Sequence, residues 1–213
     1  MTKPLFIEEI KVQNGRYHNL EGHAIRMDRT VRHFFRRPFH QPSLEKNLPK
    51  PPERGLHKCT VLYDDGIVSS TVEPHVISGV KTMGLVNFVP NVDFGYKTRN
   101  RDVLRAILDF SGTDEAIIVK DSFVTNATAA NLVFEDEEGA LWTPLHYVHS
   151  GTKREFYLKK KRIATYPVKV SNLRSFVRVI LINAMTDLED NVCVDCRDVG
   201  SLMDYDPKPV PPG

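Results

Sequence analysis

The 213-residue sequence has no long apolar run. Its most apolar stretch, "VILINAM" at 179–185, is the length of one buried strand, far short of the ~20 residues that cross a bilayer. No membrane span is expected. Nor is there an excess of charge of one sign. Lys and Arg number 29 against 27 Asp and Glu, a formal net charge of +2, so bulk charge points neither to nucleic acid nor to anionic lipid. Cysteine is scarce. Cys59 stands alone and Cys193 and Cys196 form "CVDC", whereas a structural zinc site takes four ligands in paired spacing. The three are expected as small buried hydrophobes. The opening "MTKPLFIEEI" has acidic residues where a secretory signal has its apolar core, and a cytoplasmic protein is expected.

An apolar fraction of 41% with 26% charged residues suits a soluble globular chain with a sizeable core. "LFIEEIKVQNGRYHNL" alternates apolar and polar residues around Asn14-Gly15, a hairpin signal, predicting strands over about 5–10 and 16–20. Ala24, Met27, Val31, Phe34 and Phe35 form a helical stripe over 21–36. Prolines then mark a loop, and a second hairpin turns at Asp65-Gly66. Residues 74–79 read as a linker between a unit over 1–75 and a larger one over 80–213. Beyond it come a strand in "KTMGLVNFV", a short amphipathic helix in "RDVLRAILDF", three strands over 114–144, a helix in "GTKREFYLKKKRI" and a buried strand in "FVRVILINAM". The proline-rich "DPKPVPPG" is expected to fray.

Four features carry possible chemistry. "FVTNATAANLVF", 123–134, places Thr125, Asn126, Thr128, Asn131 and several alanines where a buried strand is expected; small polar side chains of this kind line a cavity and leave room for a guest. Lys97 in "GYKTRNR" lies between an apolar strand and a helix, where a desolvated lysine acquires a lowered pKa and can condense with a carbonyl. The helix mouth "SGTKRE" offers the free amides of Thr152 and Lys153 to an anion. Arg26 in "HAIRM" flanks a buried face and needs an anionic partner, for which phosphate suits its planar fork.

In this order along the chain, and with Asn183 and Ala184 in "LINAM" after an apolar strand, these features resemble the fold-type IV pyridoxal-phosphate enzymes. "YKTRNRDVL", "VTNATAANLVF" and "INAM" look closest to 4-amino-4-deoxychorismate lyase. The resemblance covers Leu5 to about Val199. It implies an α+β, two-domain fold with a small α/β N-terminal domain, a larger mostly β C-terminal domain and the cofactor between them. It implies that Lys97 carries pyridoxal 5'-phosphate covalently and moves protons. Arg26, Thr152, Lys153, Asn183 and Ala184 would bind the cofactor phosphate, and Asn126 would sit at its ring. It also implies a homodimer acting on a small amino substrate.

Asn126 stands where that family has a glutamate facing the ring nitrogen. An amide brings no negative charge to that position, so charge stabilisation by the ring is expected to weaken. The readings that follow are a lyase releasing pyruvate and 4-aminobenzoate, an aminotransferase of the D-amino acid or branched-chain type, and a protein that keeps the pocket with little turnover. Nucleic-acid binding through "RTVRHFFRRPFHQ" is a further class, disfavoured because its phenylalanines are better used in the core.

Overall fold

The computed structural model describes residues 3–39, 44–88 and 95–206, and the proline-rich end at 207–213 lies outside them. The first sheet is built from β1 (Phe6–Gln13), β2 (Arg16–Tyr17), β3 (Leu56–Tyr63) and β4 (Ile67–Pro74), in the order β2-β1-β3-β4. Asn14 and Gly15 both have positive φ, the geometry of a tight hairpin whose twist matches its strands. The second strand of that hairpin is shorter than its sequence suggests because helix α1 (Leu20–Phe35) already starts at Leu20. Phe6, Ile10 and Val12 of β1 pack with Met27 and Val31 of α1 and with Cys59, Val61 and Tyr63 of β3. Phe34, expected in the helix stripe, is partly exposed.

The rest of the chain forms two further sheets. One orders β13 (Leu202–Asp204), β5 (Met83–Asn87), β6 (Glu115–Lys120) and β7 (Phe123–Ala127) as β13-β5-β6-β7. Its parallel β5–β6 pair is joined by helix α2 (Asp102–Ser111), the crossover that a parallel pair requires. The other orders β8 (Asn131–Glu135), β9 (Leu141–Pro144), β10 (Ala164–Tyr166), β11 (Arg178–Ile182) and β12 (Cys193–Asp195) as β10-β9-β8-β11-β12. The two sheets share a core that includes Leu85, Ile117, Val119, Leu132, Phe134, Val179 and Leu181. Helix α2 covers the second face of β6 through Ile107, while α3 (Thr152–Lys159) brings Tyr157 against Val133 and Ile180. Both faces of β6 are therefore covered, which is why "EAIIVK" reads as a continuous apolar run.

Two expectations need correction. The stretch 114–144 holds four strands, not three, and "FVTNATAANLVF" is not one strand. It divides into β7 and β8, which belong to different sheets, and Thr128, Ala129 and Ala130 carry the chain from one sheet to the other. Small residues suit a backbone that must turn sharply inside the protein. Of the cysteines, Cys59 and Cys196 are buried and Cys193 is half-buried, and none is disulfide-bonded.

Candidate functional site

A cleft of about 1050 Å³ lies where the first sheet meets the other two, a size suited to a small-molecule ligand. Of the residues singled out from the sequence, Arg26, Lys97, Asn126, Thr152, Asn183 and Ala184 line it; Lys153 does not.

Lys97 is held by the first sheet, although it lies beyond the linker. Ile7 donates its backbone N–H to the Lys97 carbonyl at 3.0 Å, and Arg99 donates to Leu5 at 3.0 Å. Residues 97–99 thus add to the open edge of β1, because β2 pairs only with the far end of that strand. The side chain of Lys97 is 10% exposed and its amine donates to Glu9 Oε2 at 2.5 Å. Burial pushes the amine below the ordinary lysine range, with Glu9 opposing and Arg26 reinforcing that shift. In turn the Lys97 charge holds the Glu9 carboxyl below its usual value. A primary amine so placed is a candidate to condense with a carbonyl.

Arg26 already has an anionic partner. Its Nη2 and Nε donate to the two oxygens of Glu8 at 2.5 and 2.7 Å, and His23 Nδ1 lies 2.6 Å from the same carboxylate. Glu8 is fully buried. Burial alone would raise its carboxyl, but Arg26 and His23 hold it well below the usual carboxylate range. Glu8 went unread in the sequence, though the signal was there. It shares the inward face of β1 with Phe6, Ile10 and Val12, and a carboxylate in that phase demands a cation. Arg26 keeps Nη1 toward the cleft, 3.0 Å from His149 Nε2.

The mouth of α3 faces the same space. Thr152, Lys153 and Arg154 begin the helix, so their backbone N–H groups lack intrahelical acceptors. Gly151 is required here by space: a Cβ would lie 1.8 Å from Asn131 Oδ1. Asn131 and Asn126 both donate to the His149 carbonyl, at 3.0 and 2.9 Å. Asn126 Oδ1 also accepts from the N–H groups of Val148 at 2.9 Å and His149 at 3.3 Å. The two asparagines of "TNATAAN" therefore hold the segment leading into α3, and the Asn126 amide is largely engaged by its own chain. Lys153 turns away and pairs with Asp187, which also binds Lys11 of β1 at 2.6 Å.

Asn183 shapes the last wall. Its Oδ1 accepts from Met185 at 2.9 Å and Thr186 at 3.0 Å, closing a tight turn that presents Ala184 to the cleft. Glu115, at the start of β6, also lines the cleft; it accepts from the backbone of Ala116 and Thr128, each at 3.0 Å, and from the Thr128 hydroxyl. Burial pushes its carboxyl up against those bonds. Glu9, Arg101, Glu115 and His149 are cleft residues that sequence reading did not single out. In short, the arrangement joins a buried amine to a rim made of Arg26, a helix mouth and an asparagine turn.

No family model matches the chain. An uncharacterized protein of Haemophilus influenzae is 26% identical over 191 residues, spanning 87% of this chain and 99% of that one. A proposed 4-amino-4-deoxychorismate lyase from Haemophilus somnus 129PT superposes with a TM-score of 0.76 at 23% identity, covering 87% of this chain and 98% of that one. A hypothetical aminotransferase from Mycobacterium tuberculosis, in its pyridoxal-phosphate-bound form, gives a TM-score of 0.67 at 17% identity over 93% of this chain and 81% of that one. The chain has the fold of the fold-type IV aminotransferases.

Proposed function

We propose that the protein is a pyridoxal-phosphate-dependent enzyme acting on a small amino compound, with the chemistry of 4-amino-4-deoxychorismate lyase as the leading form. The observation that carries this reading is the burial of the Lys97 amine in the same cleft as Arg26, the mouth of α3 and the Asn183 turn. When bound, pyridoxal phosphate supplies an electron-withdrawing ring that stabilises negative charge developing on a substrate carbon.

The residues present fit that group. Lys97 would hold the aldehyde carbon, and later take or return a proton at the substrate α-carbon. Arg26 Nη1, the amides of Thr152 and Lys153, and the Asn183–Thr186 turn would hold the phosphate. Glu8 fixes the Arg26 fork from behind, so the arginine would offer geometry rather than a full uncompensated charge. The small side chains of Ala127, Thr128, Ala129 and Ala130 leave room for the ring. Asn126 would place an amide with one uncommitted N–H beside it, with no carboxylate there.

This last feature favours the lyase over fast transamination, because a product that becomes aromatic lessens the demand on the ring. It also supports a second reading, a pocket that binds the cofactor with little turnover. We further read residues 1–75 and 80–213 as two domains, with a homodimer as the working form.

The test is direct. Purified protein incubated with pyridoxal phosphate, reduced with borohydride and mapped by mass spectrometry should carry the adduct on Lys97, and Lys97→Ala should carry none. Pyruvate release from 4-amino-4-deoxychorismate then separates the lyase from an aminotransferase, which would yield keto acids from D- or L-amino acids. A protein that forms no adduct at Lys97 refutes the proposal.

A further inference from the structure

Glu8 reaches the cleft along two routes. One runs through Arg26, which it grips by both oxygens. The other runs through His23, whose Nδ1 lies 2.6 Å from Glu8 Oε2 and whose Nε2 lies 3.4 Å from the Thr152 hydroxyl. Thr152 lines the cleft at the mouth of α3, and among the described residues its hydroxyl has no other hydrogen-bond partner. Glu8, His23 and Thr152 are almost fully enclosed, at 0%, 1% and 5% exposure. Asn19, one turn before His23, donates Nδ2 to the Thr152 carbonyl at 3.1 Å, so α1 and the mouth of α3 meet at two points here.

The protons follow from this chain of contacts. Arg26 and His23 keep Glu8 ionised, so it can only accept, and the imidazole donates to it from Nδ1. Nε2 is left for Thr152. A neutral ring accepts there, and the hydroxyl then turns its proton toward His23 and its lone pairs toward the cleft, which repels an anion. A charged ring donates there instead. The hydroxyl becomes the acceptor, and its own proton is free for the cleft. Burial, Arg26 and Lys97 favour the neutral ring, whereas Glu8 favours the charged one. An anion beside Thr152 adds a second negative charge on the side of Glu8.

We propose that His23 is a positioning residue for the phosphate seat: it takes up a proton when an anion settles at the mouth of α3, and so turns the Thr152 hydroxyl into a donor. This rests on the reading of that mouth as part of the phosphate site, and it adds a residue that acts on the ligand through another. By linkage, the anion binds more tightly as pH falls.

Sulfate is the probe, because its charge stays fixed while a histidine titrates. Its affinity for the full-length chain is measured calorimetrically from about pH 8 to about pH 5. Pairs of buffers with different ionisation enthalpies count the protons taken up. Affinity should rise as pH falls, by up to about tenfold per pH unit where a whole proton is taken up. His23→Gln, which can still bridge Glu8 and Thr152 but does not titrate, should show no uptake. Thr152→Val should lose the uptake with His23 still in place, and Thr152→Ser should keep it. His149 is the competing histidine, 3.0 Å from Arg26 Nη1 in the same cleft, and His149→Gln should leave the uptake intact. The proposal is overturned by a wild type that takes up no proton, by uptake that survives in folded His23→Gln or Thr152→Val, or by uptake lost in folded His149→Gln. Absence of sulfate binding at every pH overturns it as well. Thermal unfolding identifies any variant that loses the fold, and the wild-type count together with the folded variants then decides. The adduct at Lys97 is a separate measurement. An adduct without proton-linked sulfate binding removes the role of His23 and leaves the enzyme standing; proton-linked sulfate binding without an adduct does the reverse.

Discussion

The contact between Lys97 and Glu9 joins the amine most suited to chemistry to a carboxylate on a neighbouring strand. Two opposing effects set the protonation of that amine. Burial drives it toward the neutral form, whereas Glu9, 2.5 Å away, favours the charged one. Arg26 and Arg101 side with burial. Removing the Glu9 charge leaves burial and the two guanidiniums unopposed, so the amine pKa falls further. Glu9→Gln should therefore form the pyridoxal-phosphate adduct at lower pH than the wild type, as followed by absorbance across a pH series. A midpoint that stays put or moves upward would show that Glu9 does not control the amine. Arg101 belongs to the same scale: its half-buried fork has no carboxylate within ion-pair distance among the described residues, which is legible only when the other cations of the cleft have been assigned partners.

At the scale of elements, β1 and α1 are joined by a polar pin inside an apolar interface. Glu8 contributes two oxygens to Arg26 and one contact to His23, all within a region otherwise filled by Phe6, Ile10, Met27 and Val31. Removing one member leaves the other charged and buried. Glu8→Gln should destabilise the fold by about 3–5 kcal/mol in denaturant unfolding at neutral pH. The pH dependence has a definite sign. Since the folded Glu8 carboxyl lies well below its ordinary value of 4.5, its contribution is complete above that value and is lost as pH falls through the folded pKa. The gap between wild type and Glu8→Gln should accordingly narrow in acid, and a gap independent of pH would contradict the assignment. The pin also matters for the cleft, because it orients the arginine that faces it.

Taken whole, the molecule ties its first sheet to the rest through Asp187. That residue receives Lys11 from β1 and Lys153 from α3, and the two lysine side chains are only 4% and 7% exposed. Burial alone would raise the Asp187 carboxyl, but the two lysines hold it below its usual value. Both cations lose their main partner in Asp187→Ala, although Asp190 remains 3.8 Å from Lys11. The expected loss is about 2–3 kcal/mol, with faster amide hydrogen exchange in β1 and α3 than in the β5–β6 pair. Uniform acceleration throughout the chain would instead mean that Asp187 stabilises the fold without linking its parts.

By itself the sequence determined the elements with strong local signals. Asn14-Gly15 dictates its hairpin through positive φ, the α1 stripe dictates a helix, and the apolar run of "FVRVILINAM" dictates a buried strand. It also pointed to six of the seven chosen residues that line one cleft, through the order in which a helical arginine, a lysine, a small polar stretch, a helix mouth and an asparagine follow one another and the family resemblance that this order carries. Tertiary structure alone decided the partners. Nothing near Arg26 in sequence announces Glu8, 18 residues away, nor anything near Lys153 its turn toward Asp187. The division of "FVTNATAANLVF" between two sheets was likewise hidden, since both halves show the same buried pattern and only pairing with β6 and β11 separates them. Backbone preference and burial are read along a chain; charge neutralisation inside a protein is settled between segments that meet only after folding.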